Sequence, residues 1–237
     1  LIMGKVDSIV ATIFVNPLQF SPNEDFSKYP RDEIGDCALF KASGVDILFI
    51  PDQREIYRSN HSTIIDVGRL GQLLEGEFRP GFFNGVATIV AKLLILIQPY
   101  IAVFGEKDYQ QLCVIKQMVI DIGLPTKILG AKTVREPDGL AVSSRNCYLS
   151  VKERECAPEL YKAICALVDE LNSDIDGEIV CRRWAKKLIS VGFKKVDYLV
   201  MRDANTLEKV SGNLREKRIL VAAWLGTTRL IDNVPYC

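Results

Sequence analysis

The sequence carries no excess of either charge: 30 lysines and arginines balance 30 aspartates and glutamates. That removes a global field for nucleic acid or an anionic membrane and leaves only local patches. There is one histidine, His61 in "SNHSTIID". One imidazole builds no zinc site, and no Ser or Cys motif stands nearby for it to serve as base, so it reads as a surface or supporting histidine. No C-x-x-C pair occurs among the seven cysteines (37, 113, 147, 156, 165, 181 and 237). An odd number scattered through apparent helices suits reduced thiols in the cytoplasm rather than a disulfide framework. The longest apolar stretch, Val86 to Phe104, is broken by Lys92, Gln98 and Pro99, which excludes a transmembrane span. A signal-peptide pattern, repeats and low-complexity linkers are missing too. So is an initiator Met: the chain opens "LIMGKVDSIVATIFV", in strand pattern within a few residues, and further sequence ahead of Leu1 is expected.

What is present is a 48% apolar chain of 237 residues, enough for two modest domains or one large one. "VDSIVATIFVNP" (6–17) is a β-branched run closed by Asn-Pro and predicts a buried strand. "GVDILFIP" (44–51) repeats that grammar after a helix predicted from Arg31 to Ala42, and "STIIDV" is a further strand candidate. Val86, Ile89, Val90, Leu93, Leu94 and Ile97 share one helical face, which Pro99 terminates. "YIAVFG" follows as a strand, then a helix through Leu112, Ile115, Val119 and Ile122, then the strand "TKILGAKTV". This alternation predicts an α/β domain with a mostly parallel sheet. After the polar stretch "REPDGLAVSSRNCYLS" (135–150), Ser150 and Glu153 form a capping box for a helix carrying Leu160, Ile164, Leu167 and Leu171. A second helix carries Val180, Trp184 and Leu188, and "KVDYLVMRD", "RILVAAWLG" and "TTRLID" complete a small α+β domain with a hairpin-like end.

Ligands of open parallel sheets sit at the carboxyl ends of strands. Three polar clusters are placed there: "NPLQF" (16–20), "GEKDYQQ" (105–111) and "VSSRN" (142–146). Gly105 lets a ribose or ring approach the backbone, and Lys107 offers a compact cation for phosphate beside a helix start. Asp108 and Gln111 fit a ligand site or, equally, a simple helix capping box. Two hydroxyls and a guanidinium at Ser143, Ser144 and Arg145 suit a loop closing on phosphate, or a polar surface turn. The Gln19 amide can donate to and accept from a hydroxy acid, or be an ordinary polar residue after a strand.

Taken in order, "IFVNPLQF", "YPR", "LLEGEFRPGFFNGV", "FGEKDYQQL", "VREPDGLAVSSRN" and "LVAAWLGTTRLIDN" resemble the pantothenate synthetase (pantoate–β-alanine ligase) family over essentially the whole chain. The resemblance implies a Rossmann-like nucleotidylyltransferase domain (1–133) followed by a small C-terminal lid domain (134–237), as a cytoplasmic homodimer. It also implies ATP and Mg²⁺, with pantoate activated as an adenylate and then captured by β-alanine. By motif, Gln19 and Gln111 would hold pantoate, and Gln19 would also contact β-alanine. Gly105, Glu106, Lys107 and Asp108 would line the ATP site, with Val134 touching ATP from the domain junction. Val142, Ser143, Ser144 and Arg145 would form the closing phosphate loop. Lys107, Ser143, Ser144 and Arg145 are the residues expected to carry catalysis.

Two departures stand out. The family's Met-Gly-x-x-His-x-Gly-His element, which grips the ATP phosphates and supplies the proposed proton donor, is not in this chain, and Phe82 occupies a position where the family usually has His. Without the first strand and that element, sheet edges would be exposed and the 237-residue polypeptide alone is expected to show very low ligase activity. A non-catalytic relative that binds pantoate or nucleotide, or serves as a partner subunit, and a nucleotidylyltransferase for another acid are the competing expectations.

Overall fold

The computed structural model describes every residue except 21–25, 27, 28, 30, 172–175, 212–215 and 237. Two compact units result, each built from two segments: Leu1–Ala102 with Gln117–Lys127, and Val103–Lys116 with Ile128–Cys237.

The first unit starts with β1 (Val10–Thr12), α1 (Glu33–Ala42) and β2 (Ile47–Phe49), and β1 pairs in parallel with β2. The predicted helix starts at Glu33 because Asp32 takes the N-cap, its carboxylate accepting from the Gly35 N–H at 3.0 Å. After α2 (Gln53–Ile56) and α3 (Glu75–Phe78) comes α4 (Phe82–Ile97), whose Phe83, Val86, Ala87, Ile89, Val90 and Leu94 are buried. Each fully buried aliphatic or aromatic side chain here contributes roughly 1.5–3 kcal/mol. Gln98 ends α4 in the left-handed conformation (φ 51°), and Pro99 cannot continue it.

"STIIDV" is not a strand. Its amides are taken by α4 side chains: Ile65 N–H donates to Thr88 Oγ1 (2.9 Å) and Val67 N–H to Asn84 Oδ1 (3.3 Å). A β-branched run thus lies extended against a helix, with side chains replacing a strand partner.

β3 (Ile101–Gly105), α5 (Tyr109–Asp121) and β4 (Lys127–Ala131) follow, and β3 and β4 form a second two-stranded sheet. With β1 and β2 parallel across α1, and β3 and β4 paired across α5, the expected α/β class is present as two separate strand pairs among the described residues.

The rest of the second unit contains α6 (Val151–Cys156), α7 (Glu159–Leu171), α8 (Gly177–Ser190) and an antiparallel sheet of β5 (Lys195–Asp203), β6 (Lys217–Leu225) and β7 (Thr228–Tyr236), in that order. The capping box is present: Ser150 Oγ accepts from the Glu153 N–H while the Glu153 carboxylate accepts from the Ser150 N–H. The single helix predicted after it is two, because Pro158 has no N–H to donate and interrupts the ladder between α6 and α7. Leu160, Ile164, Leu167, Val180 and Leu188 from α7 and α8 close a core with Leu199, Ile219, Val221 and Leu225 of the sheet. The six described cysteines are free thiols, and no described helix is long and apolar enough to cross a membrane.

Candidate active site

In the first unit, "NPLQF" forms a 3-10 turn (Pro17–Gln19) packed on α4. Gly85 makes this possible: a Cβ there would stand 2.3 Å from the Leu18 carbonyl oxygen. Asn16 is buried and ties the turn down, its Nδ2 donating to the Gly85 carbonyl (3.0 Å) and to Gln19 Oε1 (3.2 Å). The Tyr57 hydroxyl donates to Asn16 Oδ1 at 2.8 Å, and burial pushes that phenol up to about 12, so it stays a donor throughout the physiological range. The Gln19 amide is therefore held by its oxygen, and no described residue takes its NH2. Arg79 donates to the Gln19 carbonyl (3.1 Å) and lies 3.6 Å over the Phe82 ring. Phe82 thus serves as the platform for this arginine. His61 sits edge-on to Tyr57 at 4.8 Å, a supporting position as expected.

In the second unit, Gly105 ends β3, and Glu106, Lys107 and Asp108 form a 3-10 turn running into α5. The alternative capping box is not formed: Asp108 already lies in helical conformation, and no described hydrogen bond joins it to Gln111. Gln111 is half-buried in the first turn of α5, while its neighbour Gln110 is the buried one. The turn is gripped from the sheet. Arg218 Nη2 donates to the Glu106 carboxylate (3.0 Å) and its Nε to Asn233 Oδ1 (2.6 Å). Asn233 Nδ2 donates to the carbonyls of Glu106 (2.9 Å) and Lys107 (3.0 Å). The Arg218 guanidinium also lies 3.7 Å over Tyr109, whose hydroxyl donates to the Ala204 carbonyl at 2.9 Å. What remains uncommitted among the described residues is the Lys107 ammonium, whose one described ionic partner is the Asp108 carboxylate at 3.8 Å, and the face of Gly105.

The loop from Val134 to Tyr148 belongs to the same unit. Val134 and Val142 are exposed and joined by a backbone bond, Val142 N–H to Val134 O at 3.0 Å. Ser143 caps a 3-10 turn (Ser144–Tyr148), its hydroxyl accepting from the Arg145 N–H at 3.3 Å. The base of the loop is anchored by Arg135, which donates to both Asp232 carboxylate oxygens (2.6 and 2.9 Å) and lies 3.5 Å over Tyr161. Strand β7 touches both the 106–108 turn and the 144–148 turn, so the structure brings these two clusters onto one strand. Gln19 belongs to the first unit.

Sequence reasoning assigned no role to Arg135, Arg218, Asp232 or Asn233. Three of the four lie in the quoted "VREPDG" and "TTRLIDN" stretches, and a cation and a carboxamide inside otherwise apolar strands were the available signal.

The family model described as "Pantoate-beta-alanine ligase" matches residues 3–235. The chain belongs to the pantoate–β-alanine ligase family. Among relatives, the pantothenate synthetase of Rhodospirillum rubrum is 47% identical over 238 aligned positions, covering 99% of this chain and 83% of that protein. That of Caulobacter vibrioides is 48% identical, covering 96% and 81%. The pantothenate synthetase structure from Thermus thermophilus superposes with a TM-score of 0.91 at 46% identity, over 96% of this chain and 83% of that one. The Francisella tularensis pantoate-beta-alanine ligase, solved with "Beta-gamma ATP" and β-alanine, gives 0.79 at 34% identity, over 98% and 80%. In this pantoate–β-alanine ligase family member, no group of three or more His, Cys, Asp or Glu among the described residues forms a metal cage.

Proposed function

We propose that the chain serves the ATP-dependent condensation of pantoate with β-alanine through a pantoyl-adenylate intermediate, with very low activity for the 237-residue polypeptide alone. A carboxylate oxygen of pantoate attacks the α-phosphorus and the bond to pyrophosphate breaks. The β-alanine nitrogen then attacks the acyl carbon, loses a proton, and the bond to AMP breaks. Positioning and charge neutralisation carry such a reaction.

The observation that carries this reading is the turn at 105–108. Glu106 and two carbonyls are consumed by Arg218 and Asn233, whereas the half-buried Lys107 has, among the described residues, only the Asp108 carboxylate at 3.8 Å and stands near a glycine the fold does not demand. Gly105 has φ −68°, open to any residue, and a Cβ there would meet no atom within 4 Å. An uncommitted cation and an open glycine at the carboxyl end of a strand suit a nucleotide.

In this reading Gly105, Glu106, Lys107 and Asp108 line the ATP site, with Val134 and Val142 against the nucleotide, while Ser143, Ser144 and Arg145 take phosphate oxygens. Gln111 and the NH2 of Gln19 hold pantoate, and Gln19 also meets β-alanine. Mg²⁺ enters as the metal of the ATP complex, its charge held by the phosphates. The family resemblance adds a cytoplasmic homodimer. The test is product dependence: pyrophosphate release should require ATP and pantoate, and AMP release should require β-alanine as well. AMP release that is indifferent to pantoate refutes the reading, and binding of both without turnover replaces it with a ligand-binding relative.

A further inference from the structure

Resting on that assignment of Lys107 and the 143–145 loop to the nucleotide, we propose that Asp232 and Asn233 are the positioning residues that set these two phosphate-side segments relative to each other. Consecutive residues of a strand point to opposite faces. Asn233 reaches one face, where it donates to the carbonyls of Glu106 and Lys107 and accepts from Arg218. Asp232 reaches the other, where it takes both terminal nitrogens of Arg135 at the base of the loop. The pair is itself tied, since the Asn233 N–H donates to Asp232 Oδ1 at 2.7 Å. Both side chains are buried at 4% exposure, so water cannot substitute for a lost partner.

The geometry is over-determined in a useful sense. Two carbonyls of the turn are satisfied by one carboxamide, whose orientation is fixed by the Arg218 Nε–H on its oxygen. The Arg218 fork simultaneously takes Glu106, so the Lys107 backbone is held on both sides while its ammonium is left to the nucleotide. A turn of this kind loses register by about an ångström when the clamp goes, which is enough to cost roughly a hundredfold in a reaction governed by placement.

The test compares Asn233→Ala, Asn233→Asp and Asp232→Asn with Lys107→Ala and Arg145→Ala, at temperatures where melting curves show each variant folded. Asn233→Asp keeps the shape and the Arg218 bond but turns its two donors into an acceptor facing two carbonyls, which guards against misreading simple unfolding. Expected are a rise of about tenfold in KM for ATP and a fall of about tenfold or more in kcat for pyrophosphate release, with KM for pantoate within about twofold. A smaller folded fraction would lower kcat but leave KM for ATP alone. The decisive outcome is non-additivity: Asn233→Ala combined with Lys107→Ala, and Asp232→Asn combined with Arg145→Ala, should be no worse than the Lys107 and Arg145 variants alone by more than about twofold. Additive losses, or unchanged KM for ATP in both Asn233 variants, overturn the proposal. Unchanged kinetics in Lys107→Ala would instead overturn the nucleotide assignment, and the proposal with it.

Discussion

Gly105 and Gly85 are both glycines beside a proposed ligand position, and the structure separates their reasons. A Cβ at Gly105 meets open space, so Gly105→Ala should melt with the parent protein yet raise KM for ATP by about tenfold, roughly 1.4 kcal/mol of lost binding. At Gly85 the added atom collides with the Leu18 backbone. Gly85→Ala is expected to cost about 1–3 kcal/mol, lowering the melting temperature by roughly 2–4 °C for each kcal/mol, and to raise KM for pantoate by displacing Gln19. Lys107→Ala should lower kcat for pyrophosphate release by about 10²–10³ without changing the melting curve, because among the described residues its ammonium meets one carboxylate, at 3.8 Å. Thermal melts and initial rates together check all three.

At the scale of elements, the three-stranded sheet carries its own titratable device. Asp197 sits at the irregularity between Val196 and Tyr198 in β5, 2.9 Å from Trp224 Nε1 and 2.7 Å from Arg229 Nε, with the Lys195 ammonium at 2.8 Å. Burial pushes its carboxyl up, but the bonds from Lys195, Arg229 and Trp224 outweigh that and hold it below the ordinary value. A lowered folded-state value stabilises above the unfolded pKa of about 3.9 and is lost as pH falls through the folded one. Asp197→Asn should therefore be less stable than the parent at pH 7, by roughly 3 kcal/mol, with the gap closing below about pH 4 in denaturant titrations. Helices and hairpin were legible in the sequence because 3.6- and 2-residue periods, the Ser150–Glu153 box and Pro99 act locally. "STIIDV" misled for the complementary reason: an apolar β-branched run shows that it is extended and half-buried, but what accepts its N–H groups lies some 20 residues away in α4.

For the molecule as a whole, the cysteines report on the second unit. Burial pushes the thiols of Cys113 and Cys181 up to about 11, while Cys147 is exposed. At pH 8 a disulfide reagent should modify Cys147 first among the six described thiols, leaving Cys113 and Cys181 protected by roughly a thousandfold until the unit unfolds. Protection lost before the melting transition would contradict the packing of α5 and α8. Each of the two units is sewn from two segments, and the "GEKDYQQ" turn, with the end of β3 from Val103, belongs to the same unit as the C-terminal sheet. The sequence by itself determined the α/β alternation, the family and the three polar clusters, because periodicity and motif spacing are short-range properties. Only the tertiary structure decided what holds those clusters. Asn233 reaches Lys107 across 126 residues and Arg135 reaches Asp232 across 97, and contacts between such distant, singly placed polar groups leave no periodic trace for a local reading to find.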